Sequence, residues 1–185
     1  MNKSDIMTIK AVLLYIINHS DTDRRDVYRI VKTAYYAQQM HFAEWAMPIF
    51  KDDIAALPFG PVPSSIYNIL KLARGDDKVR NFMESGLDAV AAAIAFEDEY
   101  YSAKESPDMD FLSESDIECL DKAIEKVASM TFEEICADTH GDEWNRVRNN
   151  GGRFMDNLNI AREGGASEEA VEYLKDALEL DTILG

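Results

Sequence analysis

Few residues of this sequence have the type and spacing to do chemistry. Its histidines are His19, His41 and His140, and its cysteines are Cys119 and Cys136. His140 is followed by Asp142 and Glu143, so one nitrogen and two carboxylates stand close together, as a metal site would need. No second histidine lies four residues on, which H-E-x-x-H requires to bring two nitrogens to one helix face. The competing reading is that His140 and Trp144 pack a loop against the core. Asp52-Asp53 and Glu97-Asp98-Glu99 are sequence neighbours. Such neighbours do not face each other on a helix and point to opposite faces on a strand, so neither makes an acid–base dyad. They read as solvated surface charge. The cysteines lack C-x-x-C spacing, and there is no G-x-x-x-x-G-K-[ST], no G-x-G-x-x-G after a strand and no G-x-S-x-G. No catalytic residue, metal or cofactor is predicted, and the chain is not expected to be an enzyme.

One basic cluster stands out: Arg24, Arg25, Arg29 and Lys32. Arg25, Arg29 and Lys32 recur at helical spacing and so share a face. That face could meet phosphate, or pair with carboxylates of the same chain or of a partner. The whole-chain balance favours pairing. Lys and Arg number 19 against 35 Asp and Glu, a net charge of −16. Such a field repels nucleic acid and anionic lipid and draws in a basic protein.

These side chains need elements to position them. The chain has 185 residues, 46% hydrophobic and 29% charged, which suits one globular domain spanning 1–185 with its own core. The longest apolar run, residues 11–17, is far short of the ~20 needed to cross a bilayer. The start Met1-Asn2-Lys3-Ser4-Asp5 has no basic segment leading into an apolar one, so no secretory signal is expected. Two cysteines set among apolar residues suggest buried thiols in a reducing compartment, hence the cytoplasm.

Periodicity predicts a mainly α fold with room for a short β-hairpin. A first helix, capped by Ser4 or Asp5, buries Ile9, Val12, Leu13, Ile16 and Ile17. A second, capped by Asp23, buries Val27, Ile30, Val31, Ala34 and Tyr35 and ends near Met47-Pro48. Residues 49–56 are either extended pieces or a turn of helix. Pro58 and Gly60-Pro61 forbid a regular helix, and the next one opens at Pro63-Ser64-Ser65. Residues 77–112 are the hardest to place; 87–96 reads as helix or strand, with a hairpin or acidic loop after it. Ser113/Asp116 and Thr131/Glu134 read as capping boxes. Asn149-Asn150-Gly151-Gly152 is a break. Ser167 caps a C-terminal helix over 167–180 with Ala170, Val171, Leu174 and Leu178 inward.

The run Val31-Lys32-Thr33-Ala34-Tyr35-Tyr36-Ala37-Gln38 is followed in order by His41, Pro48-Ile49-Phe50, Ile54, Ala56, Phe59-Gly60-Pro61-Val62-Pro63 and Ile66-Tyr67. This succession resembles the Panacea domain of SocA-like antitoxins. Thr139-His140-Gly141-Asp142-Glu143-Trp144 is similar to that family's His-to-Trp segment. The resemblance is strongest over 31–67 and 139–144. It departs at Leu57, where the family often has Trp, and at Met47, where it often has Gly.

The resemblance implies a helical antitoxin that neutralises a cognate toxin protein, encoded nearby in a bacterial or phage-associated pair, by direct binding. One family member hands its toxin to a protease, so an adaptor role is also implied. The alternative is a DNA-binding or adaptor-type regulator on a phage or mobile element, with the basic helix and Pro-rich turn as a winged-helix mimic. The candidate partner-binding residues are Tyr36, Gln38, His41, Phe59, Gly60, Pro61, Val62, Tyr67, His140 and Trp144. Tyr36, Gln38 and His41 are the ones expected on an exposed surface. Phe59, Val62 and Tyr67 are the ones expected in the core, on a turn joining two helices.

Overall fold

The structure is a computed structural model that describes residues 1–184, with side chains to residue 180. Helix α1 (Lys3–His19) is started by Asn2, whose side chain accepts the Asp5 amide while Asp5 returns the bond to Asn2. The cap therefore lies ahead of the expected Ser4 or Asp5. From Ala11 to Ile17 every residue is buried, so the helix is enclosed rather than exposed along one side.

Helix α2 (Val27–Trp45) is capped by Asp26, not Asp23, because residues 22–24 form a separate 3-10 turn. It is the central helix. All residues from Ile30 to Gln38 are buried, and α1, α5 (Glu114–Ala128), α8 (Asn157–Glu163) and α9 (Glu168–Leu184) all pack on it. It ends at Ala46 in a left-handed conformation, φ 52°.

After α2 the chain makes a hairpin of β1 (Ile54–Leu57) and β2 (Gly60–Pro63), paired Leu57↔Gly60 through Ile54↔Pro63. The 49–56 stretch thus resolves as extended chain. Gly60-Pro61 lies within a strand rather than in a simple helix-to-helix turn. On the outer edge of β1, Ala56 donates to the Arg153 carbonyl at 2.9 Å and Met155 to that of Ile54 at 2.8 Å. Residues 153–155 therefore cover that edge. On β2 the alternation of the ladder turns Pro61 and Pro63 away from β1. Two residues without N–H thus blunt the other edge.

Helix α3 (Ser64–Ala73) follows at once. Its cap is Asp52, reaching across from before the hairpin to accept the Ser65 amide at 2.8 Å. Asp52 is therefore structural, not the solvated charge expected of it. Burial pushes its carboxyl up to about 6, against the pull of the Ser65 and Ile66 amides.

The difficult 77–112 stretch divides into helix α4 (Leu87–Ala92) and a second hairpin, β3 (Ile94–Glu97) with β4 (Tyr100–Ala103). Residues 87–96 thus hold both a helix and a strand, with Glu97-Asp98-Glu99 at the turn. The capping boxes at Ser113/Asp116 and Thr131/Glu134 start α5 and α6 (Phe132–Thr139). Helix α7 (Asp142–Asn149) runs up to the Asn149–Gly152 break. Ser167 accepts the Ala170 amide at the start of α9, whose Val171 and Leu174 are buried. Among the described residues the fold is mainly α, its strands confined to the two antiparallel hairpins and an isolated bridge at Phe154. No described helix is long and apolar enough to cross a membrane.

Candidate functional site

The two-residue loop Pro58-Phe59 brings the first hairpin to a tip over α6 and α7. Phe59 is 63% exposed, the opposite of the expected burial. Its ring meets Phe132, itself 39% exposed, edge-on at 5.7 Å, and Phe132 lies 4.5 Å from Tyr28 on α2. Three aromatic rings from β1–β2, α6 and α2 thus form one outward-facing surface. Aromatic pairs in such tilted or edge-on arrangements gain beyond their buried area.

The tip is anchored along its backbone. Trp144 on α7 donates its indole N–H to the Leu57 carbonyl at 2.9 Å. Cys136 Sγ lies 3.8 Å from the Phe59 carbonyl and 3.1 Å from the Tyr28 hydroxyl. Lys32 Nζ donates to the Pro61 carbonyl at 3.1 Å and to Thr139 Oγ1 at 3.2 Å. Gly60, at φ 100°, takes a conformation that side chains disfavour.

His140 stacks flat on Trp144, with ring centroids 3.7 Å apart and planes 4° apart. Burial, with Lys32 and Arg148 nearby, lowers its pKa below the ordinary value. Glu143 is turned away to another task. Its carboxylate accepts from Arg146, the Asp156 amide and Asn159, and it is buried. His140 and Glu143 therefore serve packing and a local network. Among the described residues no group of His, Cys, Asp and Glu is arranged to hold a metal.

The three residues expected on the surface are the buried ones. Tyr36 is 1% exposed, Gln38 2% and His41 4%. The Tyr36 hydroxyl donates to Asp138 at 2.6 Å. Gln38 accepts the Ile49 amide and donates to the Phe50 carbonyl, satisfying a buried stretch that has no ladder of its own. His41 bridges the Met47 carbonyl and Ser115 on α5. Each polar end finds a partner on the protein itself. Val62 is buried as expected, and Tyr67 is half-buried with the Lys71 ammonium over its ring.

The basic face is also absent. Arg29 pairs with Asp26 at 2.8 Å, Arg25 donates to the Ser20 carbonyl, and Lys32 is fully enclosed. Helical spacing alone does not reveal that elements cover this side of α2.

The structure thus brings Phe59, Gly60, Pro61 and Trp144 to one tip with His140 beside it, and adds Tyr28, Phe132, Cys136 and Thr139, together with Lys32, which the sequence placed in a basic cluster rather than among the partner-binding residues. Phe132 carried no usable signal: at i, i+3 and i+7 with Ile135 and Thr139 it shares their helical face, yet in the first turn after the Thr131 cap it is 39% exposed. The remaining contacts join residues about 30 to 110 positions apart, for which sequence spacing gives no signal.

The family model described as antitoxin SocA-like, Panacea domain, matches residues 30–145. This span contains the hairpin tip, Lys32, α6 and Trp144; Tyr28 at the start of α2 lies just outside it. No curated protein and no solved structure matches the chain.

Proposed function

Because the chain belongs to the SocA-like Panacea antitoxin family, we propose that it neutralises a cognate toxin protein by direct binding through the aromatic tip of its first hairpin. The carrying observation is Phe59, a large apolar side chain held in solvent by a tip whose backbone is tied down on α2, α6 and α7. A pre-ordered aromatic loses little freedom on binding, and aromatics dominate the energetics of many interfaces. Phe132 and Tyr28 extend the contact. The role needs no catalysis, and we read residues 1–185 as one domain acting in the cytoplasm.

The toxin is expected beside this chain in its genome. Expressing the neighbouring open reading frame with and without the chain tests the reading. The neighbour alone should arrest growth, and the chain should restore it. Phe59→Ala should weaken rescue at least tenfold in the inducer level tolerated, with unchanged helix content by circular dichroism. A harmless neighbour overturns the toxin reading, and full rescue by Phe59→Ala and Phe132→Ala together overturns the placement of the contact. The toxin's half-life with and without the chain separates blocking, which leaves it unchanged, from delivery to a protease, which shortens it.

A further inference from the structure

We infer that Lys32 is the positioning residue of the hairpin tip: bonded to Pro61 on β2 and Thr139 on α6, its buried amino group fixes where the tip rests and hence how Phe59 is presented. The inference rests on the reading of that tip as the partner surface.

Lysine is almost never fully buried without an opposite charge. Lys32 is 0% exposed, yet its two hydrogen-bond partners are neutral and no described carboxylate lies within ion-pair distance. A leucine or methionine would fill the same gap between α2 and α6 at lower cost. What a hydrocarbon lacks is a donor, and the geometry shows where one is needed. Pro61 turns its carbonyl away from β1, so the ladder cannot satisfy it. Lys32, reaching from 29 residues earlier in the chain, does so.

Gly60 is the second half of the device. A Cβ there would stand 2.2 Å from Lys32 Nζ and 2.6 Å from Thr139 Oγ1. The glycine leaves room for the amino group directly beneath the tip and also permits the positive φ. Thr139 completes the arrangement, accepting from Lys32 while donating to the Ile135 carbonyl of its own helix at 2.7 Å. The amino group therefore ties α2, β2 and α6 at one point, two residues from Phe59 in sequence. Trp144 ties the other strand at Leu57, so the loop between is held on both sides.

The test uses the full chain and two variants. Lys32→Met keeps the stem and removes the donor, and Thr139→Val removes the acceptor. Amide hydrogen exchange at Gly60 and Val62 should quicken at least tenfold in both, while amides of α1 and α5 keep wild-type protection. Growth rescue against the neighbouring open reading frame should fall in both variants with helix content unchanged by circular dichroism. A purely structural role would lower the melting temperature and quicken exchange throughout, without singling out the tip. If Lys32→Met does not fold, Thr139→Val carries the test alone. Unchanged exchange at Gly60 and Val62 overturns the tie. A loosened tip with full rescue overturns the positioning role. If Phe59→Ala also leaves rescue intact, the partner-surface reading itself has failed; if Phe59→Ala abolishes rescue, that reading stands and only the part given to Lys32 falls.

Discussion

Lys32 and Glu143 are both buried ionisable side chains whose contributions to stability rise with pH, in different pH windows and from different causes. Burial pushes the Lys32 ammonium down to about 7, with Cys136 opposing the shift. A neutral amine has two N–H donors, matching its two acceptors. The free lysine value near 10.5 applies to the unfolded chain. Between about 7 and 10.5 the unfolded state therefore binds more protons, and stability contributed by this group rises with pH. Urea unfolding at pH 6.5, 8 and 10 should show wild type gaining on Lys32→Met as pH rises; a difference independent of pH would sink the assignment. For Glu143, burial pushes the carboxyl up, but Arg146, the Asp156 amide and Asn159 together hold it below the ordinary glutamate value. Its stabilisation is present above the unfolded value and is lost as pH falls through the folded one. Glu143→Ala should cost about 2–3 kcal/mol at neutral pH, because the hydrogen bonds of Arg146, the Asp156 amide and Asn159 to a charged acceptor are lost, and should flatten the acid limb of the stability profile. Neither role was legible in the sequence. Lys32 sits in the apolar run Ile30-Val31-Lys32-Thr33-Ala34, a hint of enclosure that helical spacing turned into a basic face. Gln38 and His41 misled for the same reason, since their polar ends meet partners on other elements.

At the scale of elements, local signals translated well and distant ones did not. Ser113/Asp116 and Thr131/Glu134 were readable because a capping box closes within four residues, and both formed. The cap of α3 was not readable, because Asp52 lies 13 residues before the Ser65 amide it accepts. The first hairpin was hidden for a related reason. Pro61 and Pro63 argue against a regular strand, yet the ladder bonds through the other positions and turns both outward, while Pro58 sits in the loop. Helix α6 matters most for the candidate site, since it supplies Phe132, Cys136 and Thr139 to the tip. Its start depends on Thr131, which accepts the Glu134 amide while Glu134 accepts the Thr131 amide at 2.8 Å. Thr131→Ala should cost about 1 kcal/mol in urea unfolding, and Thr131→Ser should restore most of it. The same alanine variant should loosen the tip from the α6 side, read as faster exchange at Gly60. Loss of stability without faster exchange there would mean that α6 supports the core and not the tip.

For the whole molecule, the mainly α fold and the family were legible because helical periodicity and the ordered succession from Val31 to Tyr67 are properties of the chain itself. The candidate surface was not, since exposure depends on what every other element covers. The net charge of −16 acts at this larger scale. Much of it lies on outward groups, including Glu133 on α6 and Glu168, Glu169, Glu172, Asp176 and Glu179 on α9. Charges spread this way do little for a single contact once screened beyond about 8 Å at physiological salt. Their summed field instead governs encounter, raising association rates for a basic partner by roughly 10–1,000-fold at low salt. The aromatic tip should govern the other half of the affinity, because a desolvated Phe59 contact must be broken before the partner can leave. The two contributions are separable by kinetics. Raising salt from about 20 to 500 mM should slow association with the toxin at least tenfold and leave dissociation nearly unchanged, as expected where the field steers only the approach. Phe59→Ala should do the reverse, speeding dissociation while association keeps its salt dependence. A dissociation rate that rises steeply with salt would mean that ion pairs, rather than the aromatic tip, hold the complex together, and it would move the contact towards the acidic surfaces of α6 and α9.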